Sequence, residues 1–176
     1  MIDLPTEKKY YGENGKEKAA MWTNHLNKCI DHQQEWCDVV FYGASNIARR
    51  DEDKWSSCFG RKVLNFAYGG NRIEHLLYRI QGGCIPKYAQ LVIVHIGTSN
   101  VESHSVEKIT QGIYPVCTVI NAYRGDVDIL VTGILPGKGR PVKKVKMISH
   151  HRLHDIFMDL RADRVRATFK KPNIDE

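Results

Sequence analysis

Short apolar runs rich in β-branched residues alternate with amphipathic stretches along almost the whole chain, and nothing else in the sequence limits the fold as strongly. "DVVFYG" (38–43), "KVLNFA" (62–67), "AQLVIVHIG" (89–97) and "DVDILVTGIL" (126–135) are short, apolar and bounded by glycine or turn residues, as strands buried on both faces are. Each is preceded or followed by helical periodicity. Residues 16–36 carry an apolar stripe of Met21, Trp22, His25, Leu26, Cys29 and Ile30. "DEDKWSSCF" (51–59) is a short helix with acids at its start, where the helix dipole favours them. "NRIEHLLYRI" (71–80) puts Ile73, Leu76, Leu77 and Ile80 on one side. "SVEKITQGIYPVCTVINAY" (105–123) is helical, with Pro115 expected to kink it or end its first half. "PVKKVKMISHHRLHDIFMDLRA" (141–162) turns Val145, Ile148 and Leu153 inward, and "RVRATF" (164–169) reads as a fifth strand. This order predicts an α/β domain with a parallel sheet and right-handed crossovers.

A chain of 176 residues is most simply one domain. Residues 1–15 read as a flexible arm and 16–176 as the domain. No apolar run reaches about 18 residues, so no membrane span is expected. The polar N-terminus lacks the apolar core of a signal peptide. The five cysteines are odd in number, spread out and contain no C-x-x-C pair, which argues against a zinc site and a disulfide scaffold. Reduced thiols in an intracellular, cytoplasmic setting are expected, with no metal and no cofactor.

Charge is distributed unevenly. Between Gly137 and Lys171 there are 11 Lys/Arg and three Asp, so this segment carries +8 of a net +6 and leaves −2 for the rest. Such a segment can bind phosphates, most often those of nucleic acid; the plainer reading is a solvated surface helix.

In open parallel sheets, ligands bind beyond the carboxyl ends of the strands. Three turns fall there: "GASN" after the first strand, "YGGN" after the second and "GTSN" after the third. Each combines glycine with small polar residues, so backbone N–H groups can approach a ligand. One shared site built from Ser45, Gly69, Gly70, Ser99 and Asn100 follows. On plainer readings, Ser45 caps the next segment, His95 is a hydrogen-bonded core residue and His75 packs. "ILPGKGRP" (134–141) lacks the G-x-x-x-x-G-K-[ST] pattern and is a loop.

The blocks "VVFYGASN", "VLNFAYGGNRIEHLLYRI", "VIVHIGTSNVE" and "GILPGKGRP" resemble the SGNH (GDSL) hydrolase family, in its intracellular platelet-activating-factor acetylhydrolase branch. The resemblance runs from about Met21 to Pro141. It implies a flavodoxin-like three-layer α/β/α fold with about five parallel strands. It also implies a serine nucleophile at Ser45, an oxyanion-hole glycine at Gly70 and pairing of subunits into homo- or hetero-dimers. The match is incomplete. Ala44 stands where the family has Asp, and Ser99 stands where it has the oxyanion-hole Asn, with Asn100 one residue on. The family's final D-x-x-H has no clean counterpart. Either "MISHHRLHDIFMDL" is the family's last long helix and the catalytic block is absent, or Asp155 takes the acid's place and Met158 the base's. Helical periodicity favours the first. His150, His151 and His154 are the candidates for a displaced base, but His154 and Asp155 are adjacent, and neighbours on a helix do not face each other.

The losses are large. A serine hydroxyl is a poor nucleophile without a base. Removing the serine or histidine of a serine protease costs on the order of a millionfold in turnover, and removing one oxyanion donor a further hundredfold or more. The expectation is therefore an SGNH-fold domain with impaired or lost esterase activity that serves as a binding module. RNA or another nucleic acid leads as ligand, held by Arg140, Lys143, Lys144, Lys146, Arg152, Arg161, Arg164, Arg166, Lys170 and Lys171. A decayed catalytic site beside a basic flank resembles RNA-binding relatives that lack a working triad. The alternatives are an active esterase using Ser45 and a protein-interaction subunit.

Overall fold

The computed structural model describes residues 5–9, 14–135, 145 and 165–168. Its elements follow the alternation of the sequence. Helix α1 spans Gly15–Asp31 and is followed by a 3-10 turn, His32–Gln34. Strand β1 is Trp36–Gly43, α2 is Ser45–Ala48 and α3 is Glu52–Phe59. Then come β2 (Val63–Asn65), α4 (Ile73–Gln81), β3 (Tyr88–His95), α5 (Val106–Tyr123), β4 (Asp128–Thr132) and β5 (Val165–Thr168).

The five strands form one parallel sheet in the order β2-β1-β3-β4-β5. Side chains alternate between two faces, as the period of two in a strand requires. Val40, Tyr42, Leu64, Val92, Val94, Ile129 and Val131 join α1, α4 and α5 in the larger core. Val39, Phe41 and Val63 pack under Ile47 of α2 and Trp55 of α3 on the other face, where the Phe41 and Trp55 rings are 4.3 Å apart. The outcome is the three-layer α/β/α architecture expected from the sequence. No helix among the described residues is long and apolar enough to cross a membrane.

Local chemistry explains the boundaries. The Asp51 carboxylate accepts from the N–H groups of Asp53 and Lys54 and starts α3, and Gly60, left-handed at φ 61°, stops it. Ser105 caps α5 through Lys108 N–H. In one respect the helix differs from expectation: α5 is continuous through Pro115. The carbonyl that Pro115 leaves without a donor belongs to Gln111, an exposed residue, so water can satisfy it.

Val145 is helical and 2% exposed within the larger core, as its inward placement required. His150, His151, His154, Asp155, Met158, Arg140, Lys143, Lys144, Lys146, Arg152, Arg161, Arg164, Lys170 and Lys171 lie outside the described residues. Arg166 falls within β5.

Candidate functional site

The sheet order brings the three glycine-containing turns together. β1 lies between β2 and β3, so the loops leaving all three strands open at one edge, at the point where strand order reverses. Gly43, the last residue of β1, touches both neighbours. It is in register with His95 of β3, and its carbonyl accepts from Tyr68 N–H of the turn after β2, at 3.1 Å. Ser45 follows two residues later.

Ser45 is the first residue of α2 and half-buried. Ala44 holds the cap position, without a side-chain cap bond. The hydroxyl is therefore not at the cap position, as the plainer reading of Ser45 had it. Each of the five described imidazoles has a partner other than Ser45. His25 contacts Cys29, His32 binds Glu35, and His75 accepts from Arg72 N–H. His95 bonds Thr132 at 2.7 Å across the strands, and His104 meets Arg72. His95 is thus the hydrogen-bonded core residue expected, 4% exposed. His75 has a sharper role than packing: from the first turn of α4 it reaches back to satisfy an N–H at the helix start.

Gly69 and Gly70 sit exposed in the turn after β2, and Gly70 adopts φ +67°, which an L side chain rarely adopts. The N-terminal segment lies against this turn. Lys8 Nζ donates to the Gly69 carbonyl at 2.7 Å and stands 5.5 Å from the Tyr68 ring centroid. Thr6 N–H donates to the Glu74 carbonyl. Partial burial, reinforced by the nearby Arg79 guanidinium, lowers the Lys8 pKa to about 8.

The turn after β3 is a 3-10 turn, Thr98–Asn100, entered through Gly97 at φ +104°. It separates two residues that the sequence places side by side. Ser99 is half-buried and Asn100 is 1% exposed. The Asn100 side-chain carbonyl accepts from Ile73 N–H at 3.1 Å, and its amide donates to the Glu74 carboxylate at 3.0 Å. Asn100 therefore completes the start of α4, and both ends of its side chain are committed there.

Several residues of this edge carry no motif. Arg72 binds Glu74 at 2.9 Å, Ser103 at 2.8 Å and His104 at 3.0 Å, tying the turn after β2 to the turn after β3. Asn65 donates to the Ile47 and Arg50 carbonyls and accepts from Ala67 N–H, which locks α2 to β2. Its signal in the sequence was a polar residue inside a buried strand. The Asn71 amide and the Thr98 hydroxyl are buried without a hydrogen-bond partner among the described residues, one in each of the two turns. Buried polar groups are normally satisfied, so both turns hold unused hydrogen-bonding capacity.

A cavity of about 750 Å³ opens beside this edge, walled by α1, the end of α2, the start of α3 and the Ala67–Gly69 turn. Neither Ser45 nor Gly70 lines it, so it flanks the serine rather than containing it. Lys18, Lys28, Arg49 and Arg50 face it against Glu52 and Asp53. His25 lines it too, its ring centroid 5.0 Å from that of Tyr68 and tilted 45° to it; burial, then Arg79, lowers its pKa to about 4 and keeps the ring neutral at pH 7. No group of three or more His, Cys, Asp or Glu suited to a metal ion occurs among the described residues.

No protein-family model matches the chain. Curated relatives do. Rat platelet-activating factor acetylhydrolase IB subunit alpha1 is 30% identical over 120 residues, 66% of this chain and 51% of the rat protein. Human subunit alpha2 is 28% identical over 124 residues, 68% of this chain and 54% of the human one. The chain thus spans about half the length of the curated relatives it matches. Among solved structures, a Streptococcus pneumoniae protein named a platelet activating factor superposes with a TM-score of 0.70 at 13% identity, covering 89% of this chain and 80% of that one. A GDSL-like lipase from Bacteroides thetaiotaomicron gives 0.55 at 16% identity, over 86% and 75%.

Proposed function

The chain belongs to the SGNH (GDSL) hydrolase family, and from that premise we propose that it is a member with impaired or lost esterase activity that works as a binding module, with RNA its leading ligand. The observation that carries the first half is Asn100. With one amide N–H held by Glu74 and its carbonyl by Ile73 N–H, its buried side chain is anchored at the start of α4, which supports its being turned away from a tetrahedral oxyanion. Ser99, at the family's donor position, has a shorter side chain and no amide. Loss of one such donor costs roughly a hundredfold or more in turnover. Each of the five described imidazoles has a hydrogen-bond partner other than Ser45, which supports the same reading.

The second half rests on charge. The +8 segment 137–171 supports a phosphate-bearing ligand, and the body of the domain carries further cations, Lys18, Lys28, Arg49 and Arg50, around the flanking cavity. Filter binding with single-stranded RNA at low salt tests it. Binding should weaken in Lys143→Glu, Lys144→Glu and Lys146→Glu, and the dependence of affinity on salt should flatten as phosphate contacts are lost. Absence of RNA affinity at low salt refutes this half.

The rival reading, an active esterase, is favoured by Ser45 and Gly70 standing at adjacent strand ends and by relatives named acetylhydrolase subunits. It needs a base from His150, His151 or His154. Turnover of p-nitrophenyl acetate that disappears in Ser45→Ala would establish it and overturn the first half of the proposal.

A further inference from the structure

Beneath the turn after β2 lies a buried cluster that neither reading uses. Arg79, in the last turn of α4, is fully buried. Its guanidinium donates to the Phe66 carbonyl and contacts two sulfurs, Cys84 Sγ at 3.6 Å and Cys29 Sγ at 3.8 Å. Its Nε and Nη1 have no hydrogen-bond partner among the described residues. A guanidinium does not give up its proton inside a protein, and an uncompensated buried charge is strongly disfavoured. The compensating anion must therefore come from a neighbour. Among the described residues, the groups beside Arg79 that could carry a negative charge are Cys84, Cys29 and Tyr42. Tyr42 is excluded, because its hydroxyl donates to the Cys84 carbonyl at 2.6 Å and burial holds its proton on. That leaves the two thiols, and they differ. The Cys29 hydrogen bond to Cys84 and burial push the Cys29 thiol up. Burial alone would raise Cys84 as well, but the Cys29 hydrogen bond and Arg79 outweigh it and hold the Cys84 thiol below its usual range. Cys37 and Cys117 are both raised by burial.

We infer that Cys84 and Cys29 form a redox site in which Cys84, a thiolate paired with Arg79, is oxidised by a hydroperoxide and then closes onto Cys29 as a disulfide. The thiolate attacks the distal peroxide oxygen and the O–O bond breaks. Cys84 becomes a sulfenic acid, and the departing hydroxide or alkoxide takes a proton from solvent. The Cys29 thiol then attacks the Cys84 sulfur, an S–S bond forms, and the sulfenic oxygen leaves as water with the Cys29 proton. The two sulfurs lose two electrons and the peroxide gains them.

Both sulfurs are buried, so a peroxide reaches them only through local opening, and two places adjoin the pair. Cys29 Sγ lies 3.5 Å from Nε2 of His25, whose ring walls the cavity of about 750 Å³. Cys84 directly follows the Gly82–Gly83 turn, where Gly82 is exposed and Gly83 adopts φ +95°, and this turn is the surface segment nearest to it in sequence. Oxidation also has a consequence at the candidate site. A disulfide carries no charge, so Arg79 loses its counter-ion and keeps only the Phe66 carbonyl, one residue before the Ala67–Gly70 turn. The redox state of the pair is thereby coupled to the turn that holds Gly70.

The experiment titrates the reduced full chain with hydrogen peroxide, blocks remaining thiols with an alkylating agent, and maps the five cysteines by non-reducing peptide mass spectrometry. A Cys58→Ser background removes the exposed thiol as a competitor. The expected result is a Cys29–Cys84 linked peptide, two hydrogens lighter than the sum of its parts, at doses that leave Cys37 and Cys117 reduced. Survival of Cys84 as a free thiol, at doses that oxidise Cys58 in the unsubstituted chain, overturns the inference. Arg79→Leu should slow formation of the linked peptide at least about tenfold, in line with loss of thiolate character. Because that variant removes a buried residue, thiolate ultraviolet absorbance of the unsubstituted folded chain gives a second reading. It should be present at neutral pH and vanish on unfolding in urea; its absence from the folded chain overturns the inference equally.

Discussion

Asn100→Ala separates a structural asparagine from a catalytic one. The substitution removes two contacts. Ile73 N–H, at the first turn of α4, loses the acceptor 3.1 Å away and becomes a buried, unsatisfied donor, which costs about 1–3 kcal/mol. Glu74 loses a charge-assisted bond of 3.0 Å that is normally worth about 1.5–3 kcal/mol. Arg72, 2.9 Å from the same carboxylate, retains part of that compensation. The sum is a loss of about 2–4 kcal/mol. With an m-value near 2 kcal/mol/M, the urea midpoint should fall by roughly 1–2 M. Asn100→Asp sharpens the test, because it keeps the acceptor for Ile73 N–H but turns a donor into a charge facing Glu74. It should be destabilised at neutral pH and recover partly on acidification. A midpoint unchanged in Asn100→Ala, together with loss of Ser45-dependent ester hydrolysis, would refute the assignment. It would mean that the side chain leaves α4 to serve an oxyanion.

The other predictions are shorter. Ser99→Asn restores the family's side-chain donor and should raise any Ser45-dependent turnover of p-nitrophenyl acetate by up to about a hundredfold; no change would remove Ser99 from the pocket. Gly97→Ala forces a side chain onto φ +104° and places its Cβ 3.1 Å from both Ile109 Cγ2 and Ile134 Cδ1. It should cost about 1–3 kcal/mol in chemical denaturation. The pH dependence follows from His25 and His75, whose pKa values burial lowers to about 4 from 6.5. Between those values the unfolded chain binds more protons, so stability falls as pH drops from about 6.5 towards 4. His25 contributes a slope of at most about 1.4 kcal/mol per pH unit, and the more exposed His75 a screened fraction of it. A His25→Gln, His75→Gln double variant should flatten the profile.

Much of the architecture could be read before any coordinates. The strands announced themselves because a sheet covered on both faces needs continuous apolar runs, as in "LVIVHI", and the helices because one buried stripe recurs every third or fourth residue. That the loops after β1, β2 and β3 open at one edge was also legible, because loops leaving neighbouring parallel strands must share it. Pro115 shows the limit of a local rule, since solvent at an exposed carbonyl decides whether a proline interrupts a helix.

What the chain determined alone is therefore periodicity and order: which segments are strands, which are helices, and which residue types stand at the strand ends. Those follow from interactions between residues a few positions apart. Tertiary structure decided the rest. It turned Asn100 to α4, brought Lys8 onto the Gly69 carbonyl, and set Arg79 against Cys29 and Cys84. These partners are separated by 27, 61, 50 and five positions, and the Arg79–Cys84 contact turns on burial rather than spacing. Hydrogen bonds and charge pairs depend on distance and desolvation, and both come into being only when distant segments pack.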